Sequence, residues 1–195
     1  MMTMPEKTPE ASGPNEAMVL VVAHCVLNRS TRWWQKGQPI ERNQGPADQT
    51  LQFLSENKVG VVQLPCPEFT FLGNPRSPAT KDDYESLPGF KEHCERLALD
   101  SAKQLKTLVE MGRNPRITVL AVVGVERSPS CGIESSPRRV KGTVIYVKEK
   151  GLFFESLEKE INDLGLRIPM LEMNLHQPDE LCRKLTELLK SHIQK

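Results

Sequence analysis

Five cysteines, at positions 25, 66, 94, 131 and 182, are the residues of this chain best equipped for chemistry. Their number is odd and none are spaced C-x-x-C, so neither a disulfide framework nor a paired redox motif is indicated. Each is core filler, metal ligand or reactive thiol, and local context separates them. Cys25 ends an apolar, β-branched run and opens the polar segment 28–32. Cys66 stands between Pro65 and Pro67 and is followed by Glu68. Cys131 lies in the turn-rich segment 124–132, Gly-Val-Glu-Arg-Ser-Pro-Ser-Cys-Gly. Cys94 and Cys182 fall inside helical patterns and read as ordinary helix cysteines.

Three soft thiolates select zinc, copper(I) or an iron–sulfur cluster. A structural zinc site is closed by four ligands and usually uses paired C-x-x-C knuckles, which are absent. A four-iron cluster held by three cysteines leaves one iron open as a Lewis acid. His24 and His176 are the candidates for a further ligand. His24 neighbours Cys25 in an extended strand end, where adjacent side chains point to opposite sides, so it reads as a core residue or one behind the ligands. His176 precedes the last helical pattern and reads as exposed. The competing chemistry is a thiol nucleophile. Cysteine phosphatases need an arginine at a fixed offset that folds it back onto the oxyanion. Cys25 has arginines at +4 and +7, Cys66 at +10 and Cys131 at +7 and +8, and none matches. Neither G-x-x-x-x-G-K-[ST] nor G-x-G-x-x-G after the first strand occurs, which disfavours nucleoside triphosphate and dinucleotide chemistry.

The elements that must position these thiols follow from periodicity. Apolar, β-branched runs at 18–23, 59–64 and 117–123 read as buried strands and 168–173 as a fourth strand, with a small extra strand at 144–147. Helical spacing covers 48–57, 90–111, 152–164 and 178–193, the longest being 90–111. A Gly/Pro-rich loop runs from Cys66 through Arg76, because two prolines around one cysteine argue against helix or central strand there. Strands alternating with helices predict an α/β, Rossmann-like, three-layer domain with a mostly parallel sheet. Loops at the carboxyl ends of such strands gather along one edge and form the ligand crevice. Cys25, Cys66 and Cys131 each follow a buried strand, so the topology brings three distant thiols to one crevice.

The remaining composition narrows the setting. The chain has 195 residues, with 26 Lys+Arg against 25 Asp+Glu and a net charge of +1. That balance does not indicate a dedicated nucleic-acid footprint, and the densest basic stretch is Arg138-Arg139-Val140-Lys141. No run approaches the ~18 apolar residues of a membrane span. Residues 1–17 are polar and Pro/Glu-rich, without the parts of a secretory signal, and read as a disordered tail ahead of a single α/β domain over 18–195. The expected location is the cytoplasm.

The three cysteine segments resemble the motifs of the DUF523 family, which includes the thiouracil desulfurases. Ser128-Pro129-Ser130-Cys131-Gly132 matches the family's SPSCG, and Cys66-Pro67-Glu68 followed by Pro75-Arg76 is similar to its CPE…PR segment. Cys25-Val26-Leu27-Asn28 followed by Arg32 resembles CLLG…R, with Asn28 in place of glycine and Trp33-Trp34 where the family has Tyr-Asp. The resemblance implies a [4Fe-4S] cluster on Cys25, Cys66 and Cys131, and removal of sulfur from a thiolated pyrimidine without net redox. A thiocarbonyl sulfur is soft and suits an open iron, which makes the C=S carbon a better target for water. Glu68 is then the candidate general base, and Ser128 and Ser130 are candidates to hydrogen-bond the ring or the attacking water. Arg32 and Arg76 either contact the substrate or fix the loops. Trp33-Trp34 is either a stacking surface or a hydrophobic plug. The expected substrate is a small thiolated pyrimidine, with tRNA less favoured by the charge balance. The alternative is a non-catalytic iron–sulfur or zinc-binding redox sensor or sulfur carrier on the same thiolates. A thiol oxidoreductase is the least favoured reading.

Overall fold

The computed structural model describes residues 16–38, 48–175 and 177–193. Most of the expected disordered tail, and His176, lie outside these residues. β1 (Glu16–Val22) leads into a single helical turn, α1 (His24–Leu27), and a 3-10 turn at Arg29–Thr31. α2 (Asp48–Glu56) and β2 (Gly60–Gln63) follow, then two short helices, α3 (Pro67–Leu72) and α4 (Lys81–Glu85), and the long α5 (Phe90–Met111). β3 (Arg116–Val125) precedes a hairpin of β4 (Ser136–Val140) and β5 (Thr143–Val147). α6 (Leu152–Asp163), β6 (Met170–Met173) and α7 (Pro178–Ile193) complete the order.

The four apolar runs form one parallel sheet in the order β2-β1-β3-β6. The connection from β1 to β2 moves toward one edge, and the connection from β2 to β3 crosses back over β1. Right-handed crossovers then put α2 and α5 on opposite faces. α6 packs on α5, and α7 packs on α2. Both faces being covered, Leu20, Val21 and Val22 of β1 and Leu120, Ala121, Val122 and Val123 of β3 are fully buried, the reason these strands read as unbroken apolar runs. The order in which strands are added reverses after β2, so the connections leaving the neighbouring β1 and β3 run to opposite faces and open a crevice between the carboxyl ends of these two strands. Among the described residues no helix is long and apolar enough to cross a membrane.

Five expectations need correction. The second strand is not buried: β2 is an edge strand with Gly60, Val61 and Gln63 exposed, and only the flanking Val59 and Leu64 are buried. The first strand starts at Glu16, two residues before the expected 18. The Gly/Pro-rich loop after Cys66 contains α3, because Pro67 occupies the first helical position, where a missing N–H is no loss. Cys25 lies in the turn α1 and not in an extended strand end, so the opposed-faces argument for His24 does not apply. Finally, the small extra strand is half of an antiparallel hairpin whose other half, β4, carries Arg138 and Arg139. Its two-residue turn, Lys141-Gly142, has both φ values positive (48° and 81°), which suits the twist of a tight hairpin.

α5 spans the sheet behind the crevice, with Leu105 fully buried on its inner face. Leu105→Ala should lower unfolding free energy by about 2–5 kcal/mol, seen as a reduced denaturation midpoint with an unchanged denaturant slope.

Candidate functional site

A cavity of about 600 Å³ opens at the carboxyl edge of the sheet, a size ordinary for a small-molecule site. Cys25, Cys66 and Cys131 line it, as do Glu68, Ser128 and Ser130, with Arg32 and Arg76 on the same wall. Every residue singled out from sequence for catalysis, cofactor or substrate is thus brought to one cavity. Among the described residues, no three His, Cys, Asp or Glu side chains stand as a group able to hold a metal ion. The thiols share the cavity without forming such a ready-made single-ion site.

Each cysteine is held by a different local device. Cys25 sits in the one-turn α1 directly after β1, where the Ala23 carbonyl accepts the Val26 amide at 3.0 Å. Cys66 is the N-cap of α3, its Sγ accepting the Phe69 amide at 3.4 Å. Cys131 lies in a loop folded on itself, its amide donating to Ser128 Oγ at 3.0 Å and its carbonyl accepting from the Val125 amide at 2.9 Å. The start of α6 presses on this loop. The Leu152 amide donates to the Pro129 carbonyl at 3.0 Å, and the Phe153 and Phe154 amides donate to the Ser130 carbonyl at 3.0 and 3.1 Å. The Gly151 amide donates to the Gly132 carbonyl at 2.9 Å. Such close approach requires glycine: a Cβ at residue 151 would lie 2.5 Å from the Ser130 carbonyl carbon, and one at residue 124 would lie 2.3 Å from the Cys131 oxygen.

Glu68 is 7% exposed and fully engaged. Its Oε2 accepts from Arg76 Nε at 3.3 Å, Arg76 Nη2 at 3.2 Å and the Tyr84 hydroxyl at 3.0 Å. Its Oε1 accepts the Ser130 hydroxyl at 2.6 Å. Ser130 Oγ in turn lies 3.4 Å from Ser128 Oγ and 3.5 Å from Cys131 Sγ. Arg76 also donates to the Thr31 carbonyl at 2.6 Å and Asn74 Oδ1 at 2.8 Å. Of the two roles open to Arg76 from sequence, these bonds favour fixing the loops, since most of its donors face protein oxygens. Burial works against the Arg76 charge, but Glu68 together with Cys66 and Tyr84 outweighs it and holds the guanidinium pKa up. Burial and then Glu68 raise the Tyr84 phenol, so Tyr84 remains a donor.

The thiols are electrostatically coupled. Burial, then Glu68, then Cys25 push the Cys66 thiol up to about 12. Burial raises Cys131 well above its ordinary range, with Cys25 and Cys66 adding to it. Desolvation raises Cys25, and Arg32 partly opposes it. Buried Cys94 is also pushed up to about 12, and Cys182 is raised, both mainly by burial. A nucleophilic or redox-active cysteine works as a thiolate and needs a lowered pKa, so this electrostatics disfavours the thiol-oxidoreductase reading.

Outside this constellation, Cys94 is fully buried within α5 and Cys182 lies on α7; neither lines the cavity. His24 is part-buried, with Nε2 enclosed and without a hydrogen-bond partner among the described residues, and burial lowers its pKa. Trp33 lines the cavity and Trp34 does not. Arg138 and Arg139 are taken up by acids: Arg138 pairs with Asp82, Glu85 and Glu149, and Arg139 with Asp83. Sequence reasoning missed Tyr84, the glycine contacts at 124 and 151, and the hairpin residues Val144 and Tyr146, which form part of the cavity wall. The helix carrying Tyr84 had a readable signal. Thr80 and Asp83 make a capping box, with the Thr80 amide donating to Asp83 Oδ2 at 2.8 Å.

Fold and site together define an α/β protein whose three thiols line one cavity at the sheet's switch point beside a buried carboxylate–serine pair. The family profile described as "Putative 2-thiouracil desulfurase" matches residues 17–169, and the chain belongs to that family. It is similar to the "Uncharacterized protein MJ0003" of Methanocaldococcus jannaschii, at 26% identity over 174 residues, covering 88% of this chain and 97% of that protein. It is also similar to the solved structure of the [4Fe-4S]-dependent thiouracil desulfidase TudS, at 20% identity and a TM-score of 0.48, covering 86% of this chain and 97% of that one.

Gly151→Ala places a methyl group against the Ser130 and Cys131 backbone. It should destabilise the fold by about 1–3 kcal/mol, whereas Gly165→Ala, at a position with open space but φ of 78°, tests the cost of strain without the contact. Paired denaturation curves, with hydrogen exchange of the 128–133 amides, check that only the first substitution loosens the Cys131 loop.

Proposed function

We propose that this protein is a [4Fe-4S]-dependent enzyme that hydrolyses the C=S bond of a small thiolated pyrimidine, giving the oxo form and sulfide. The observation that carries this reading is the Ser130–Glu68 hydrogen bond of 2.6 Å on the wall of the cavity lined by Cys25, Cys66 and Cys131. Family membership supports the same reaction class. The non-catalytic sensor or carrier uses the same thiols but has no need of a proton-transfer pair beside them.

The donor chemistry suits the cluster: Cys25, Cys66 and Cys131, three soft thiols lining one cavity, would hold it. When bound, such a cluster supplies a Lewis-acidic iron that attracts a soft thiocarbonyl sulfur and draws electron density from its carbon. All five cysteines are free, and a cytoplasmic, reducing setting keeps them so. Protonated thiols must release their protons as metal binds.

Within the chain, Glu68 Oε2 is occupied by Arg76 and Tyr84, so Oε1 is the oxygen open to proton transfer. Ser130 stands between that oxygen and the crevice. Water attacks the thiocarbonyl carbon; its proton passes to Ser130 Oγ as the serine proton moves to Glu68 Oε1. A C–O bond forms; as the new hydroxyl gives up its remaining proton to become the carbonyl, the C–S bond breaks. That proton and the one held by Glu68, returned through Ser130, leave with the sulfur as hydrogen sulfide, with no net change of oxidation state. Ser128 orders the loop by accepting the Cys131 amide and lies within reach of the Ser130 hydroxyl. Arg32 and Trp33 are the groups proposed to face the substrate, with Arg76 holding the loops. Because acids already engage Arg138 and Arg139, a small pyrimidine is favoured over tRNA. The chain from β1 onward is proposed to act as one domain.

Anaerobic reconstitution with iron and sulfide should give a brown protein, and Cys25→Ser, Cys66→Ser and Cys131→Ser should each lose the iron and the colour. Cys94→Ala and Cys182→Ser should retain both; a full cluster in all three of the first variants would refute the ligand set. With 2- or 4-thiouracil, Glu68→Gln and Ser130→Ala should keep the cluster while turnover falls ~10²–10⁴-fold, the range for a lost general base. Ser130→Ala leaves the Arg76–Glu68 pair intact, so its rate separates proton transfer from the cost of unpairing a buried guanidinium.

A further inference from the structure

α4 is five residues long, yet it grips the site at two points. Its Tyr84 hydroxyl donates to Glu68 Oε2 at 3.0 Å. Three residues earlier on the same helix, Lys81 is only 3% exposed, which is rare for lysine. Its Nζ donates to the Lys150 carbonyl at 2.7 Å, Glu155 Oε2 at 3.1 Å and Glu149 Oε2 at 3.3 Å, three acceptors for three protons. Lys150 precedes Gly151, whose amide holds the Gly132 carbonyl, and the next amides of α6 hold those of Pro129 and Ser130. One short helix therefore touches the carboxylate of the Ser130–Glu68 pair through Tyr84, and the scaffold of its serine through Lys81.

We propose that Lys81 is a positioning residue for the Ser130–Glu68 pair, its ammonium tying α4 to the start of α6 so that the serine and carboxylate keep hydrogen-bond register. This rests on the reading of that pair as the proton-transfer group. The partners of Lys81 locate its action. Glu149 is also held by Arg138, through Nη2 at 2.9 Å and Nε at 2.5 Å, and Glu155 has an exposed side chain that water can serve. The backbone group that loses its Lys81 donor when the ammonium is removed is the Lys150 carbonyl, in the residue before the N-cap of α6. The expected consequence is local to residues 151–154 and to the loop they hold, which general loss of stability would not produce.

Lys81→Met keeps most of the packed stem and removes the charge. In both the cluster-free and the reconstituted protein, the amides of 151–154 should exchange about tenfold faster, while those of β1 and α5 keep their rates. In the reconstituted protein with 4-thiouracil, kcat should fall about tenfold with KM within about twofold, the pattern of a displaced reacting group, and Lys81→Arg should restore both readouts. Should Lys81→Met not fold, Glu149→Gln with Glu155→Gln removes both negative charges that hold the Lys81 ammonium against the start of α6, and exchange at 151–154 should rise about threefold. Wild-type exchange at 151–154 in a folded variant overturns the proposal, as does faster exchange with unchanged kcat. If the reconstituted wild type releases no sulfide from thiouracil, the proposed reaction fails, while the exchange rates still decide whether Lys81 tethers the loop.

Discussion

Burying the Glu68 carboxylate constrains the whole carboxyl edge of this sheet. A carboxylate removed from water loses several kcal/mol of solvation, and only well-placed donors offset it. The donors come from separate segments: Arg76 from the loop before α4, Tyr84 from α4 and Ser130 from the loop after β3. Arg76 carries the network onward to the Thr31 carbonyl, in the connection after β1. The Glu68–Arg76 ion pair and the hydrogen bonds it makes to Thr31 and Ser130 thereby tie together the segments that follow β1, β2 and β3, which are the segments carrying Cys25, Cys66 and Cys131. Removing either charge leaves the other buried without its partner, so charge complementarity and loop geometry are inseparable here.

Side-chain bonds alone do not set the serine in place. The first amides of α6 point at the Ser130 carbonyl, where a helix start presents unsatisfied donors and positive partial charge. Those amides reach it because Gly151 brings no Cβ against the loop, and Gly124 lets β3 pass beneath the Cys131 carbonyl. Orientation of the hydroxyl toward Glu68 Oε1 thus follows from backbone packing on one side and the carboxylate on the other. Precise placement of this kind matters most for proton transfer, which falls off steeply when donor and acceptor part.

The central strands β1 and β3 were legible because burial on both faces leaves uninterrupted β-branched runs, and α5 because it has a full amphipathic period. Convergence of three thiols followed from topology without knowledge of any side-chain contact. α3 was hidden by reading Pro67 as a breaker, although proline at the first helical position is favourable. The hairpin was half-hidden: β5 is exposed along its whole length, so its pattern has no buried face to declare itself. Tyr84 was unreadable as a site residue, because a tyrosine on a short helix gains its meaning only from a carboxylate sixteen residues away in sequence. Glu68 itself was recognised from its neighbour Cys66, but its saturation by four hydrogen bonds is a property of the fold.

The two walls of the cavity differ in kind. The sheet-edge wall is buried, charged and cross-linked, whereas the hairpin wall presents Val144 and Tyr146 at 45% and 54% exposure. Arg127 lies 4.7 Å above the Tyr146 ring, a cation–π contact that stiffens an otherwise isolated two-stranded ribbon. The acids of α4 pair with Arg138 and Arg139, which anchors the ribbon and at the same time neutralises the one dense basic stretch in the chain. A polyanion would have to compete with Asp82, Asp83, Glu85 and Glu149 for those guanidiniums. A flat pyrimidine needs only the aromatic and apolar surface of the hairpin and Trp33, with the polar groups gathered at the sheet edge. The charge arrangement that holds the ribbon in place is therefore also what tilts the proposed site toward a small ring.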